Sequence, residues 1–171
     1  MSLRMGLIGL LAREGPKTGY ELTKAFDRSV NFVWHALHGQ IYPELARLLE
    51  AGFIRQTGSG PRGAKRYEAT EEGIAELRRW ITDVEPSRST RNETLLRAFF
   101  VYLVDSVQAA EFFLREADAY REHLAVLERF AEEEPTTPSE RASALTVDAG
   151  VLVLKARIEW AERSAAEVSG W

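Results

Sequence analysis

The sequence predicts a mainly α-helical protein in two parts, and three observations carry that reading. The fourteen residues from Gly39 to Gly52 have the pattern of a short amphipathic helix. A single pair of strand signals follows, joined by the turn Gly58-Ser59-Gly60-Pro61-Arg62-Gly63. Beyond residue 91 the strand and hairpin signals cease, and only long helical periodicities remain.

Leu3 to Ala12 places Leu3, Leu7, Leu10 and Leu11 on one face of a first helix, ended by Gly15-Pro16. Thr18 is suited to cap a second helix, because Glu21 stands three residues later in the capping-box position. That helix runs to about Asp27 and buries Leu22, Ala25 and Phe26. An aromatic stretch with Phe32 and Trp34 leads to the third helix, where Ile41, Leu45, Leu48 and Leu49 form the apolar face. Gly52 suits the left-handed residue just past its end, and Pro43 is expected within its first turn. Phe53 to Thr57 and Lys65 to Ala69 read as two strands of a hairpin. Thr70 then caps a fourth helix whose apolar side is Leu77, Trp80 and Ile81, with Glu71 and Glu72 at its positive end. The order helix, helix, helix, hairpin, helix describes a winged helix-turn-helix with a two-stranded wing over residues 1–82.

Residues 83–91 have the composition of a linker. In residues 92–171, Asn92 can cap a helix carrying Leu95, Leu96, Phe99, Phe100 and Leu103 along one side. Ser106 is a candidate cap for a long helix in which Phe113, Ala117, Tyr120, Leu124, Leu127 and Ala131 form a coiled-coil-like seam. Pro135 and Pro138 interrupt it, and a last helix runs from about Ser139 to Val168. Its middle, Val151 to Leu154, is apolar all round, as in a helix buried on more than one side. Gly150, just before it, marks close approach of a neighbouring helix or of a ligand. Three helices cannot bury this much apolar surface within so short a unit, so a homodimer through the C-terminal helices is expected.

Composition excludes several classes of function. The 171 residues are 45% hydrophobic and 28% charged, ordinary for a globular protein, and contain no cysteine for disulfides or thiolate metal sites. No apolar run reaches bilayer length and no signal-peptide pattern opens the chain, so a cytoplasmic protein without membrane attachment is expected. His35, His38 and His123 have no metal-ligand spacing. No nucleophile elbow or dinucleotide fingerprint occurs, and the glycine-rich turn joins two strands without opening a helix. Catalytic residues, a metal and cofactors are therefore not expected.

The net charge of −4 conceals an asymmetry. Residues 1–82 hold 12 Lys/Arg against 9 Asp/Glu, a balance of +3, while residues 83–171 hold 10 against 17, a balance of −7. Phosphate binding depends on where the positive groups lie and not on the total, so the division permits a DNA-facing first part.

Three motifs in the first part resemble the PadR-like transcriptional regulators. They are Gly-Tyr-Glu-Leu at 19–22, Ile-Tyr-Pro-Glu-Leu at 41–45 with Leu48 to Gly52, and Lys-Arg-Tyr-Glu-Ala-Thr-Glu-Glu-Gly at 65–73. The resemblance covers residues 3–82. It departs at Leu49, a position that is often acidic, and at Glu68-Ala69, which replaces a commoner basic–apolar pair. The C-terminal helices resemble the larger PadR subgroup with a virulence-activator-like helical domain. The resemblance implies a homodimeric DNA-binding repressor with peripheral winged helices, in a family whose members respond to phenolic acids or hydrophobic drugs.

Gln40 and Tyr42 are the candidates for base contacts, since a Gln amide can bond adenine bidentately and Tyr can reach a phosphate or a thymine methyl. Packing of Tyr42 on Pro43 and the adjacent helix is the alternative. Arg47 lies further along the same helix, Thr18, Tyr20 and Lys24 on the helix expected to cross the backbone, and Arg62, Lys65 and Arg66 on the wing. Phe32, Trp34, Phe99, Phe100, Tyr120 and Trp160 are candidates for an apolar effector pocket, with core packing as the alternative. The expected function is a transcriptional regulator, a repressor that binds a pseudo-palindromic double-stranded operator and is released by a small hydrophobic or phenolic ligand. One rival is a winged-helix module for protein partners, favoured by Glu44, Glu50 and Glu68 near the reading surface. Another is a helical binder of hydrophobic compounds whose winged helix is vestigial.

Overall fold

The computed structural model describes residues 2–29, 38–59, 63–87, 91–131 and 134–171, and divides into two compact units, Met1–Ser87 and Arg88–Trp171. Phe32, Trp34, His35 and Arg62 lie outside the described residues, as does the side chain of His38.

The first unit contains α1 (Ser2–Glu14), β1 (Lys17–Thr18), α2 (Gly19–Arg28), α3 (His38–Glu50), β2 (Ile54–Ser59), β3 (Lys65–Ala69) and α4 (Glu71–Asp83). This is the expected order with one addition. Lys17 and Thr18 pair antiparallel with Tyr67 and Arg66, so the sheet has three strands in the order β1-β3-β2 where the sequence predicted two. A two-residue strand has no periodicity to read, and only its pairing with the free edge of β3 defines it.

α1 is buried more widely than one face, because Met5 and Ile8 join Leu7, Leu10 and Leu11 at 3% exposure or less. Leu22, Ala25 and Phe26 of α2, Ile41, Leu45 and Leu48 of α3, and Ile54 of β2 complete the core. Tyr67, Ala69, Leu77 and Trp80 pack against its margin. Two expected core residues do not belong to it. Leu49 is 38% exposed and Ile81 66% exposed. Each follows a packed residue, Leu48 or Trp80, and one residue turns a helix by about 100°, enough to leave the buried stripe.

α3 ends as its sequence requires. Gly52 has φ +73°, its N–H donates to the Leu49 carbonyl at 3.1 Å, and the Phe53 N–H donates to the Leu48 carbonyl at 3.0 Å. These two bonds form a Schellman closure that a left-handed glycine permits. Pro43 departs from expectation: it lies inside the helix, five residues beyond His38, and not in the first turn. Its missing N–H leaves the Gly39 carbonyl without an intrahelical partner, and Gly39 is exposed, where water can reach that oxygen.

The second unit contains α5 (Glu93–Phe99), a 3-10 turn (Val101–Leu103), α6 (Ser106–Ala131) and α7 (Pro138–Val168). Asn92 caps α5, its side chain accepting the Leu95 N–H at 3.0 Å. The helix expected to reach Leu103 instead stops at Phe100 and tightens into the 3-10 turn. α6 is capped by Asp105 and not by Ser106, since the Asp105 carboxylate accepts the Gln108 N–H at 2.8 Å. Ser106 thereby becomes the first helical residue. α7 opens on a full capping box formed by Thr137 and Glu140, with Pro138 at its first position.

α6 and α7 pack antiparallel. Phe113 of α6 meets Trp160 of α7 edge-on at 5.5 Å between ring centroids, and Ala109 and Phe113 form a small core with Ala165 and Val168. Further along, a Cβ on Gly150 would lie 2.7 Å from Leu127 Cδ1, so the glycine marks a close approach of the two helices. Phe113, Ala117 and Tyr120 of the predicted seam are buried, whereas its end at Ala131 is exposed. The apolar run in α7 is not enclosed within the chain, because Leu152 is 61% exposed and Val153 50%.

Candidate nucleic-acid interface

The N-terminal turn of α2 is built first by its cap. The Thr18 hydroxyl accepts the Glu21 N–H at 3.2 Å, while the Glu21 carboxylate accepts the Thr18 N–H at 2.7 Å and the Thr18 hydroxyl at 3.1 Å. The Thr18 N–H and hydroxyl, with smaller help from Arg66 and Lys17, hold the Glu21 carboxyl below the usual carboxylate range. Thr18 is only 5% exposed. Its side chain therefore sets the start of α2.

Gly19 and Tyr42 meet directly. A Cβ on Gly19 would lie 2.6 Å from Tyr42 Cε1, 3.2 Å from Cζ and 3.3 Å from Cδ1. The ring thus lies close against a turn that has no side chain, and Tyr42 nevertheless remains 56% exposed. Packing of Tyr42 on the neighbouring helix and exposure of Tyr42 are therefore both present. Gln40 is also exposed on α3, while Ile41 and Leu45 on either side of this face are fully buried.

Glu44 is not a free negative charge on this surface. Its carboxylate pairs with Arg4 of α1 at 3.0 Å and with Arg47 at 2.9 Å, and its side chain is 12% exposed. Burial opposes its ionisation, but the bonds from Arg4 and Arg47 outweigh burial and draw its pKa below the usual range. Arg47 is consequently engaged with Glu44, though 64% of its side chain is exposed.

Tyr20 is 61% exposed and carries the Lys24 ammonium 4.6 Å from its ring centroid, a cation–π pair on α2. On the wing, Glu68 pairs with Arg55 at 3.2 Å, so this acidic residue too is offset within the sheet. Arg66 does not extend freely: it donates to the Pro16 carbonyl at 2.6 Å and lies 3.8 Å from the Glu21 carboxylate. Lys65 is exposed, and its side chain makes no hydrogen bond or ion pair among the described residues.

The expected effector residues in the second unit are not gathered into one cavity. Phe100 lines a groove of about 690 Å³ with Leu96, Val101, Val104 and Phe112, bordered by Arg97 and Arg115. Trp160 lines a separate groove of about 550 Å³ with Ala98, Phe113, Val168 and Trp171. Phe99 is 75% exposed, and Tyr120 is buried with the Arg157 guanidinium over its ring. Among the described residues no cluster of His, Asp and Glu is arranged to hold a metal ion. No helix among them is long and apolar enough to cross a membrane.

Sequence reasoning missed β1 and gave Gly19 no role beyond its place in the Gly-Tyr-Glu-Leu motif. The signal for Gly19 was a glycine at the first position of a helix, where no turn demands one.

Three helices, a short antiparallel sheet and a fourth helix define a winged helix-turn-helix protein extended by a helical unit. Residues 7–79 match the transcriptional regulator PadR-like family and residues 90–169 match the virulence activator alpha C-terminal family. The chain belongs to the PadR-like family of transcriptional regulators. It is 36% identical over 115 residues to the negative transcriptional regulator PadR of Bacillus subtilis, a stretch covering 65% of this chain and 63% of that relative, less than two thirds of its length. Over the full fold the similarity is broader. A crystal structure of Bacillus subtilis PadR in complex with operator DNA superposes with a TM-score of 0.83 at 28% identity, covering 97% of both chains. A second structure of that protein, in complex with p-coumaric acid, gives 0.82 at 27% identity, covering 98% of this chain and 99% of the other.

Proposed function

We propose that this chain is a homodimeric repressor that binds a pseudo-palindromic operator through α3 and is released by a small hydrophobic or phenolic ligand. One observation carries the reading: α3 buries Ile41, Leu45 and Leu48 completely while presenting Gln40 and Tyr42 outward. That is the disposition a reading helix needs, with its N-terminal residues toward base edges and its opposite face fixed. The similarity to a relative solved with operator DNA supports the same assignment. In this proposal Gln40 and Tyr42 contact base edges, Tyr20, Lys24 and Arg47 contact the backbone, and Lys65 contacts phosphate from the wing. Thr18 contributes by orienting α2.

The dimer is supported by the exposed apolar side chains of the second unit, Phe99, Leu103, Leu145 and Leu152 among them, because monomers seldom leave such residues in contiguous patches. Two identical reading helices then require matched half-sites about one helical turn apart, or a multiple of it. Effector release is supported by the relative solved with p-coumaric acid. A ligand that binds one spacing of the two winged helices better than the other would shift the population between them.

The test is fluorescence anisotropy with promoter DNA flanking the protein's own gene, at low salt. Saturable binding, weakened by Tyr42→Ala without loss of fold and reversed by added p-coumaric acid, is the expected result. Absence of binding overturns the DNA assignment, and binding indifferent to p-coumaric acid overturns that ligand class. Selection from a random DNA pool separates this reading from a module for protein partners, since an enriched palindrome is incompatible with the latter. The ion pairs that engage Glu44 and Glu68 remove much of the negative field that favoured the rival.

A further inference from the structure

We infer that Gly19 is a positioning residue for DNA reading, because its missing side chain forms the seat that fixes the Tyr42 ring. The inference rests on the proposed DNA-binding role and names the device that makes Tyr42 effective in it. An exposed tyrosine on a helix surface ordinarily samples several rotamers, and ordering it on binding costs affinity. Here three ring carbons lie within 3.3 Å of the place where a Cβ at residue 19 would stand. The ring is thus braced along its length while more than half of the residue stays accessible.

The seat itself is rigid. Thr18 and Glu21 close the capping box around it, and Arg66 ties Pro16 and Glu21 to β3. The Gly19 carbonyl in turn accepts the Thr23 hydroxyl at 2.9 Å. Sheet and α2 are therefore tied together beneath the α3 ring that rests on Gly19. Nothing in the backbone calls for glycine here, since Gly19 is not one of the glycines with positive φ among the described residues. Alanine is the better helix former, so a glycine at this place is explained by the space it leaves. The obstructed atoms belong to the free end of a partly exposed side chain, so a methyl at residue 19 displaces the ring at little cost to the fold. That separates positioning from stability.

The experiment is a double-mutant cycle in the full chain, measured as specific DNA affinity, together with an NMR measurement on the free protein. A nuclear Overhauser contact between the Gly19 α-protons and the Tyr42 ring is expected in the absence of DNA. Gly19→Ala is expected to weaken specific binding about tenfold while leaving the melting temperature within a few degrees, and to have less than about a twofold effect when Tyr42 is already Ala. Absence of the contact overturns the seat. A contact accompanied by unchanged affinity in Gly19→Ala, or by equal losses in both backgrounds, overturns the positioning role. If the wild-type chain binds no DNA, the functional reading fails and the positioning role with it, whereas the NMR contact still reports on the seat.

Discussion

Two glycines at the starts of helices illustrate how differently a missing side chain can act. Gly19 leaves room for a side-chain ring, whereas Gly73 leaves room for backbone: a Cβ there would lie 2.1 Å from the Phe53 carbonyl oxygen. That carbonyl accepts the Thr70 N–H at 3.1 Å, and the Thr70 hydroxyl donates to the Gly52 carbonyl at 2.7 Å, so the junction cannot retreat. Gly73→Ala gains about 1 kcal/mol of helix propensity but incurs an overpacking cost of about 1–3 kcal/mol, at the upper end because backbone is struck. A net loss of stability in urea unfolding is the expected outcome, and a gain would show that the α3–β2 junction yields. Glu140 gives a second prediction at this scale. The Thr137 N–H, the Thr136 hydroxyl and the Thr136 N–H draw its carboxyl down to about 2 from an ordinary 4.5. A lowered folded pKa stabilises the helix start above about pH 4.5 and is lost as pH falls toward 2. Carboxyl-carbon NMR should show Glu140 titrating near pH 2, with α7's first-turn amides losing protection over that window; titration near 4.5 would mean that the box does not form.

At the scale of elements, caps and closures were the most legible features of the chain. Thr18 with Glu21, Thr70, Asn92 and the Gly52 closure are local, set by residues within five of one another, and each occurs where the sequence placed it. Where two neighbouring residues can cap, the sequence misplaces the start, as at Asp105 and Ser106. Charges on the wing were less legible, because their partners are distant in sequence. Arg66 reaches Pro16 and Glu21, fifty and forty-five residues away, while Lys65 beside it reaches neither. The two should therefore behave differently. Lys65→Ala is expected to reduce the slope of log affinity against log salt by about one unit per protomer, one phosphate contact's worth, whereas Arg66→Ala lowers affinity with the slope unaltered. A flattened slope in Arg66→Ala would reassign that arginine to phosphate.

For the molecule as a whole, the second unit has too small a core for its apolar content. Among the described residues its buried apolar side chains are Ala109, Phe113, Ala117, Tyr120, Ala161, Ala165 and Val168, four of them alanines, while Phe99 and Leu152 remain 75% and 61% exposed. In the proposed dimer a second copy would cover that surface. Light scattering at micromolar concentration is expected to give twice the chain mass of 19.3 kDa, and Leu152→Asp to shift it to one and abolish specific DNA binding. A wild-type monomer would overturn the dimer. The charge is divided along the chain, with +3 on residues 1–82 that carry α3 and −7 on the remainder.

The sequence by itself determined the order of the helices and the two strands of the hairpin, the caps at Thr18, Thr70 and Asn92, and the inward turn of Ile41, Leu45 and Leu48. These depend on periodicity and on hydrogen bonds between residues close along the chain. Tertiary structure alone decided that Lys17 and Thr18 extend the sheet, that Arg66 turns inward, that Glu44 is neutralised by Arg4, and that Tyr42 rests on Gly19. Each of these joins residues at least twenty apart, and no local pattern encodes a partner at that distance. The amphipathic α3 was visible in fourteen residues, but the seat beneath its tyrosine exists only once α2 and α3 are packed.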